Sequence, residues 1–399
     1  MNPRRSLLAF AFAASALSAA ERILVTVTHE LTAARPAETI VVPWIDVARG
    51  LPGAEPDKLI VRDATGRPLV SQFTNFHPDD RTGKYDEVLF QHDFAVGEKS
   101  AIFTIEKSTG PVPPSPSKVS ARWVPERYDD FAFENDRIAH RIYGPALETD
   151  VAGRSRMVGS GIDVWAKRVT YPIIDRWYLR GHDNYHRDNG EGLDFYSVGT
   201  SRGAGGTGVW DGQRLRVSNN WRACRVIANG PIRAIFELTY ATWDAGGGAT
   251  IAEVKRFTVD AGRNLHRVES TYSVFGAESV TIAIGLGKMK NSGRDLPANM
   301  ADHPSEGWMS RWTTHPKEVE GQLGTGVVLG EGAFAGTAGD DLNQLALVPV
   351  KHGQTLTYYV GAGWSRSSQF ADAGAWQNYL AGFAARLRSP VKVSVTATP

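Results

Sequence analysis

Disulfides are the first thing this sequence lacks. Cys224 is the single cysteine among 399 residues, so no internal disulfide can form and stability must come from packing. Cys224 sits in the strand-like run Trp221-Arg-Ala-Cys-Arg-Val-Ile, where a buried structural thiol is expected rather than a nucleophile. The chain also lacks an excess of either charge. It has 44 Lys and Arg against 43 Asp and Glu, which leaves no bulk field for nucleic acid or for a membrane surface, and neither is expected as a partner. No repeat recurs at a period of about 20–50 residues, which disfavours propellers and solenoids. Long apolar runs are absent too. Leu7 to Leu17 is too short to span a bilayer; with Arg4 and Arg5 before it and Ser18-Ala19-Ala20 after it, residues 1–20 read as a signal peptide. A periplasmic or secreted protein is the expectation.

Turn formers and large rings are plentiful, with 41 Gly, 21 Pro, 11 Trp, 12 Tyr and 16 Phe. This composition fits many strands joined by tight turns. Ile23, Val25 and Val27 alternate, as do Ile232, Ala234, Phe236, Leu238 and Tyr240 against Arg233, Glu237 and Thr239. Pro111-Val-Pro-Pro-Ser-Pro-Ser117 interrupts the strands as an extended linker. The expected organisation is a small β-sandwich over 21–110, the linker 111–117, and a large domain over 118–399. One helix is expected late, where Trp376, Tyr379, Leu380, Phe383 and Leu387 recur at helical spacing before Pro390. The fold class is all-β, a large antiparallel β-sandwich that resembles the supersandwich of mutarotase-like sugar enzymes.

Chemistry concentrates in Gly181–Trp210. Two His, four acidic residues, two Tyr and two Arg fall within 182–202, interleaved with glycines and without apolar periodicity. Such a stretch reads as a long functional loop, with a plain solvated loop as the alternative. A second cluster holds Glu134, Asp136, Arg137, His140, Arg141 and Tyr143. If 137–143 is a strand, Arg137, Ala139, Arg141 and Tyr143 share a face and present two guanidiniums to a carboxylate.

Glu134-Asn-Asp136, Tyr143-Gly-Pro-Ala-Leu147, Gly161-Ile-Asp-Val-Trp-Ala-Lys-Arg168, Tyr185-His186, Gly190-Glu-Gly-Leu-Asp-Phe-Tyr196 and Gly230-Pro-Ile-Arg233 together carry a family resemblance. Over about residues 22–395 the chain resembles the bacterial domain-of-unknown-function family 4861. The resemblance implies a partner of pectin- or ulvan-degrading enzymes. It further implies an oligosaccharide dehydratase that removes water from a terminal uronic acid and leaves a 4,5-unsaturated sugar.

That chemistry begins with the proton on C5, acidified by the adjoining carboxylate once cations neutralise it. Arg137, Arg141, Arg202 or Lys167 would supply the charge, while Tyr143, Glu191, Asp194 and Trp210 complete the expected sugar contacts. Tyr185 and His186 are the expected acid/base pair, with His182 as the alternative base. No cofactor is expected. In an alternative version a divalent cation sits on His182, His186, Asp188 and Glu191. Two further readings stay open. One is a glycoside hydrolase using carboxylates among Glu134, Asp136, Glu191 and Asp194. The other is a non-catalytic carbohydrate-binding protein using Trp165, Trp177, Trp210 and Trp308. An acidic oligosaccharide is the expected partner of the enzyme readings.

Overall fold

The computed structural model describes residues 22–80, 84–110, 112–149, 156–330, 332 and 334–397. The expected signal peptide, residues 1–20, lies outside them. No helix among the described residues is long and apolar enough to cross a membrane.

Alternating apolar residues build antiparallel sheets throughout. The largest has eight strands, in the order Ala223–Gly230, Arg233–Gly246, Ala249–Asp260, Leu265–Phe275, Thr355–Trp364, Gln322–Leu329, Trp308–Thr314 and Ala298–His303. Two five-stranded sheets contribute side chains to the core on its inner face. One runs Leu215–Arg216, Ala204–Trp210, Ser279–Gly287, Asn343–Lys351, Gly336–Gly339; the other runs Gly192–Asp194, Ile162–Lys167, Ala139–Ile142, Asp130–Glu134, Ser120–Val124. Between the layers lie Phe131, Phe133, Phe236, Phe257, Ile282, Ile284, Val348 and Tyr358, all buried. A parallel bridge from Ile162 to Gly203 joins the two smaller sheets. Gly203 has φ +58°, and a Cβ there would lie 2.1 Å from the Ile162 carbonyl oxygen, so this junction demands glycine. The large β-sandwich is as expected from the strand pattern.

The late helix is present as Ala373–Arg388, with Asp372 accepting the Ala375 N–H at 2.9 Å as its N-cap. It buries Trp376, Leu380 and Phe383 on the outer face of the eight-stranded sheet. The sheet is flattened for it by glycine: a Cβ at Gly324 would lie 2.8 Å from the Trp376 ring.

The N-terminal sandwich also forms, from a five-stranded and a three-stranded sheet around Ile23, Val25, Phe90 and Phe103. Its boundary differs from the expected split at 118–399. The last strand, Lys392–Ala397, returns to pair with Arg22–Thr28, because its alternating valines complete the apolar face of that sheet. The two sandwiches are clamped together. Gln72 Oε1 accepts the Ile232 and Arg233 N–H groups at 2.9 and 2.8 Å, and Gln91 donates to the Ala261 carbonyl at 2.9 Å. Cys224 lies half-buried in Ala223–Gly230 and packs against the core, and burial raises its pKa, which disfavours the thiolate.

His140 lies in this core rather than in a site. Its ring stacks on Phe133 at 5.0 Å and meets His266 edge-on at 4.8 Å. Burial pushes its pKa down from 6.5 to about 4. With the folded value below the unfolded one, the stability of the neutral ring is fully present above pH 6.5 and is lost as pH falls towards 4. His140→Phe is expected to keep the stacking and shrink the acid-induced loss of unfolding free energy by about 3 kcal/mol over that window. Urea unfolding of parent and variant at neutral and acid pH measures it, and parallel losses would refute the role.

Candidate functional site

The sheet ending in Gly192–Asp194 is two-faced. Strand alternation sends Phe131, Phe133, Ile142, Ile162 and Val164 into the main core. The opposite face carries Asp130, Glu134, Arg141, Asp163, Trp165, Lys167 and Asp194, brought into line by the pairings Arg141 with Asp163 and Trp165 with Asp194. The helices Ile174–Arg180 and His182–Tyr185 cover this charged face, packing Ile174, Trp177 and Tyr185 against Trp165 and Ala139.

Each end of the cover is held by a carboxylate. Glu134 accepts the Ile173 and Ile174 N–H groups at 2.9 Å and the Lys167 ammonium at 2.7 Å. Its charge stabilises the first turn of the helix that follows. Glu191 accepts from Tyr171 at 2.9 Å, Trp177 at 3.0 Å, Arg180 at 2.6 Å and Arg176 at 2.8 Å. Burial opposes its ionisation, but these bonds prevail and hold its pKa below the usual carboxylate range. Asp188 pairs with Arg168. Within 181–206 a four-residue helix, a three-residue strand and the start of another strand interrupt the loop, which occupies the remainder.

Beneath the cover lies Arg141, whose side chain is only 7 % exposed. It donates to Asp163 at 2.6 and 3.0 Å, to Asp194 at 3.3 Å and to the Tyr185 hydroxyl at 3.4 Å, and it lies 4.0 Å from Asp130. Tyr143 presents its ring to the same guanidinium at 5.3 Å. Half-buried Arg127 also acts on Asp130 and Asp194. Two cations cannot hold three buried carboxylates fully ionised. Burial raises Asp130 to about 6, raises Asp163 despite Arg141, and pushes Asp194 well above its ordinary value. Burial thus opposes ionisation throughout the cluster, and at Asp194 the neighbouring Asp163 charge adds to it.

Outside this cluster stand two imidazoles. His182 and His186 are four apart across a helical turn, and their Nε2 atoms approach to 3.2 Å. His186 Nδ1 lies 2.7 Å from the Asp194 carbonyl oxygen and 3.8 Å from its carboxylate. A carbonyl only accepts, so Nδ1 carries the hydrogen and Nε2 is left as the lone-pair nitrogen. The side chains of His182 and His186 are 44 % and 38 % exposed, so solvent and ligands reach them.

The structure places the expected residues as follows. Tyr185 stacks on Trp165 at 4.8 Å with its hydroxyl turned to Arg141, while the His186 side chain is exposed. The Tyr185 and His186 rings lie 4.8 Å apart, and the His182 ring meets both, at 5.4 and 4.5 Å. Arg141 is consumed by carboxylates and does not face a ligand. Arg137 lies in the turn before Ala139–Ile142, away from Arg141, because the strand is shorter than 137–143. Lys167 is sealed against Glu134. Arg202 is buried inside the large sandwich, bonded to the Thr200 carbonyl at 3.0 Å and Ser160 at 3.3 Å, with burial lowering it to about 10. Trp210 ends its strand opposite Leu215, and Trp165, Trp177 and Trp308 are buried, so these four form no exposed sugar platform. Asp136 accepts the Gly262 N–H at 2.6 Å, so Glu134, Asp136 and Glu191 are engaged separately from Asp194. His182, His186, Asp188 and Glu191 likewise do not converge, and no group of three His, Cys, Asp or Glu suited to a metal occurs among the described residues. Asp130, Asp163, Arg127 and Tyr178 went unnoticed in the sequence; the alternation Asp163, Trp165, Lys167 within Ile162–Lys167 was the signal for one of them.

Removing Arg141 would strand buried negative charge. Arg141→Ala is expected to cost about 3–5 kcal/mol in urea unfolding followed by tryptophan fluorescence. An unchanged midpoint would mean the guanidinium does not hold the cluster together.

A relative from Formosa agariphila, "Uncharacterized protein P7", is 32 % identical over 397 residues, covering 96 % of each chain. Among solved structures, an alpha-mannosidase from Enterococcus faecalis V583 superposes with TM-score 0.49 at 10 % identity, over 94 % of this chain and 46 % of that one. A glycosyl hydrolase family 38 protein from Enterococcus faecalis gives 0.47 at 11 % identity, over 94 % and 48 %. The chain spans about half the length of these solved proteins. Residues 27–393 match the family described as "Domain of unknown function (DUF4861)", and the chain belongs to that family.

Proposed function

We propose that this protein is a lyase-type enzyme, a dehydratase or an eliminative lyase, acting on uronic-acid oligosaccharides in the periplasm or outside the cell. The observation that carries the reading is the exposed imidazole pair, in which a backbone carbonyl fixes His186 as a base at Nε2. Proton transfer at a carbon beside a carboxylate requires such a base, and an acid within reach of the leaving oxygen.

In this reading His186 Nε2 takes the C5 proton, and the electron pair of that C–H bond forms the C4–C5 double bond. The C4–O4 bond breaks, and O4 takes a proton from the His182 imidazolium. The oxygen leaves as water in a dehydratase and as the alcohol of the departing sugar in a lyase. Asp194 positions the base through its carbonyl, and the Arg141 cluster holds Asp194. Arg187 is the available cation for the substrate carboxylate: it follows His186 in the chain, is exposed, and makes no ion pair among the described residues.

Incubation with oligosaccharides ending in glucuronate or galacturonate tests this, read by ultraviolet absorbance of the conjugated product and by mass. Loss of about 18 Da from an intact chain identifies a dehydratase, and two fragments, one unsaturated, identify a lyase. Two saturated fragments, or binding without turnover, would refute the proposal. His186→Ala and His182→Ala are each expected to lower kcat by about a hundredfold or more. Tyr185→Phe is expected to retain most activity, since its hydroxyl faces the buried guanidinium. Full activity in both histidine variants would displace the site.

A further inference from the structure

The cleft between the two sandwiches is lined by charged groups of both signs, two of whose cations have no ion-pair partner among the described residues. It encloses about 410 Å³, and its polar wall is Arg67, His92, Asp93, Lys118, Asp136 and Arg137. Of its two acids, Asp93 accepts the Ala37 N–H at 2.7 Å and Asp136 the Gly262 N–H at 2.6 Å, each through one carboxylate oxygen. His92 lies 2.9 Å from Glu98, and Arg67 donates to Asp63 at 3.0 Å. Lys118 and Arg137 make no ion pair among the described residues, and Arg137 Nε is buried with no hydrogen-bond partner. A buried donor without an acceptor costs free energy that a bound oxyanion would recover.

Leu69 and Pro231 line both this cleft and a neighbouring hollow of about 610 Å³, whose walls include Phe73, Tyr85, Pro113, Pro114 and Asn229. The Phe73 and Tyr85 rings pack edge to face at 6.3 Å and are half-buried. Flat rings beside amides suit the C–H faces and hydroxyls of pyranose sugars, and cations suit their carboxylates. The Gln72 and Gln91 bonds hold the walls in place before any ligand arrives, which limits the ordering cost of binding.

We propose that these two adjoining hollows bind a stretch of uronate oligosaccharide, separately from the imidazole pair. Arg137 and Lys118 take a sugar carboxylate, and Phe73 with Tyr85 take neighbouring sugar faces. The identity of the sugar rests on the functional reading above; the position of the groove does not.

Titration calorimetry of the full chain with a long oligogalacturonate tests it. Lys118→Ala/Arg137→Ala is expected to weaken Kd about tenfold or more and to flatten its dependence on salt, with an unchanged melting temperature. Lys118→Glu, a reversal at an exposed position, gives a second reading of the same loss should the double variant fold poorly. His182→Ala/His186→Ala is expected to keep binding within about twofold of the parent. Unchanged affinity and salt dependence in the Lys118 and Arg137 variants would overturn the groove, as would tighter binding of a sulfated galactan that lacks uronate. Loss of turnover in the histidine variants alongside unchanged binding in the groove variants sinks the groove alone. Full turnover in the histidine variants with lost binding in the groove variants sinks the functional site alone.

Discussion

A single guanidinium, that of Arg141, sits among Asp130, Asp163 and Asp194 with Tyr185 at its remaining edge, and much of the site is arranged around it. The three acids come from three strands of one sheet, so the cation ties those strands together through side chains as well as through the backbone ladder. Charge so deeply buried is costly unless it is paired. The covering helices supply the seal, and their Trp177 and Tyr185 both stack on Trp165 of the sheet, at 5.4 and 4.8 Å. His182 and His186 stand on the solvent side of that seal, with His186 leaning on Asp194, which the buried cation also touches. An exposed imidazole is thereby attached to a buried, charged support.

The opposite face of the same sheet solves a different problem. Phe133, His140 and His266 pack as one ring cluster, with both imidazoles driven towards their neutral forms by burial. Charge on one face and its suppression on the other follow from strand alternation alone, since successive residues point to opposite sides. The sandwich junction adds a third environment, where Gln72 joins the N-terminal sandwich to the start of Arg233–Gly246 and leaves cations lining a cleft.

The strand-rich class and the late helix were legible, because each depends on local periodicity. The importance of 181–196 was legible in part, through its density of ionisable groups. The short helix and strand within it were not legible, since the carboxylates that hold the neighbouring helices, Glu134 and Glu191, act through Lys167, Arg176 and Arg180 and across strands. The return of Lys392–Ala397 to Arg22–Thr28 joins residues at opposite ends of the chain, a pairing that no local pattern announces.

Residue type and alternation by themselves settled that Asp163, Trp165 and Lys167 share a face, and that His182 and His186 stand side by side if their segment is helical. Tertiary structure alone decided which of the many charged groups are spent and which remain. Arg141, Lys167, Glu134 and Glu191 are consumed by partners far away in sequence, while the imidazole pair and the Lys118–Arg137 cleft stay open to a ligand. The physical reason is that charge compensation depends on distance in space, whereas sequence periodicity specifies only the direction in which each side chain leaves its own strand or helix.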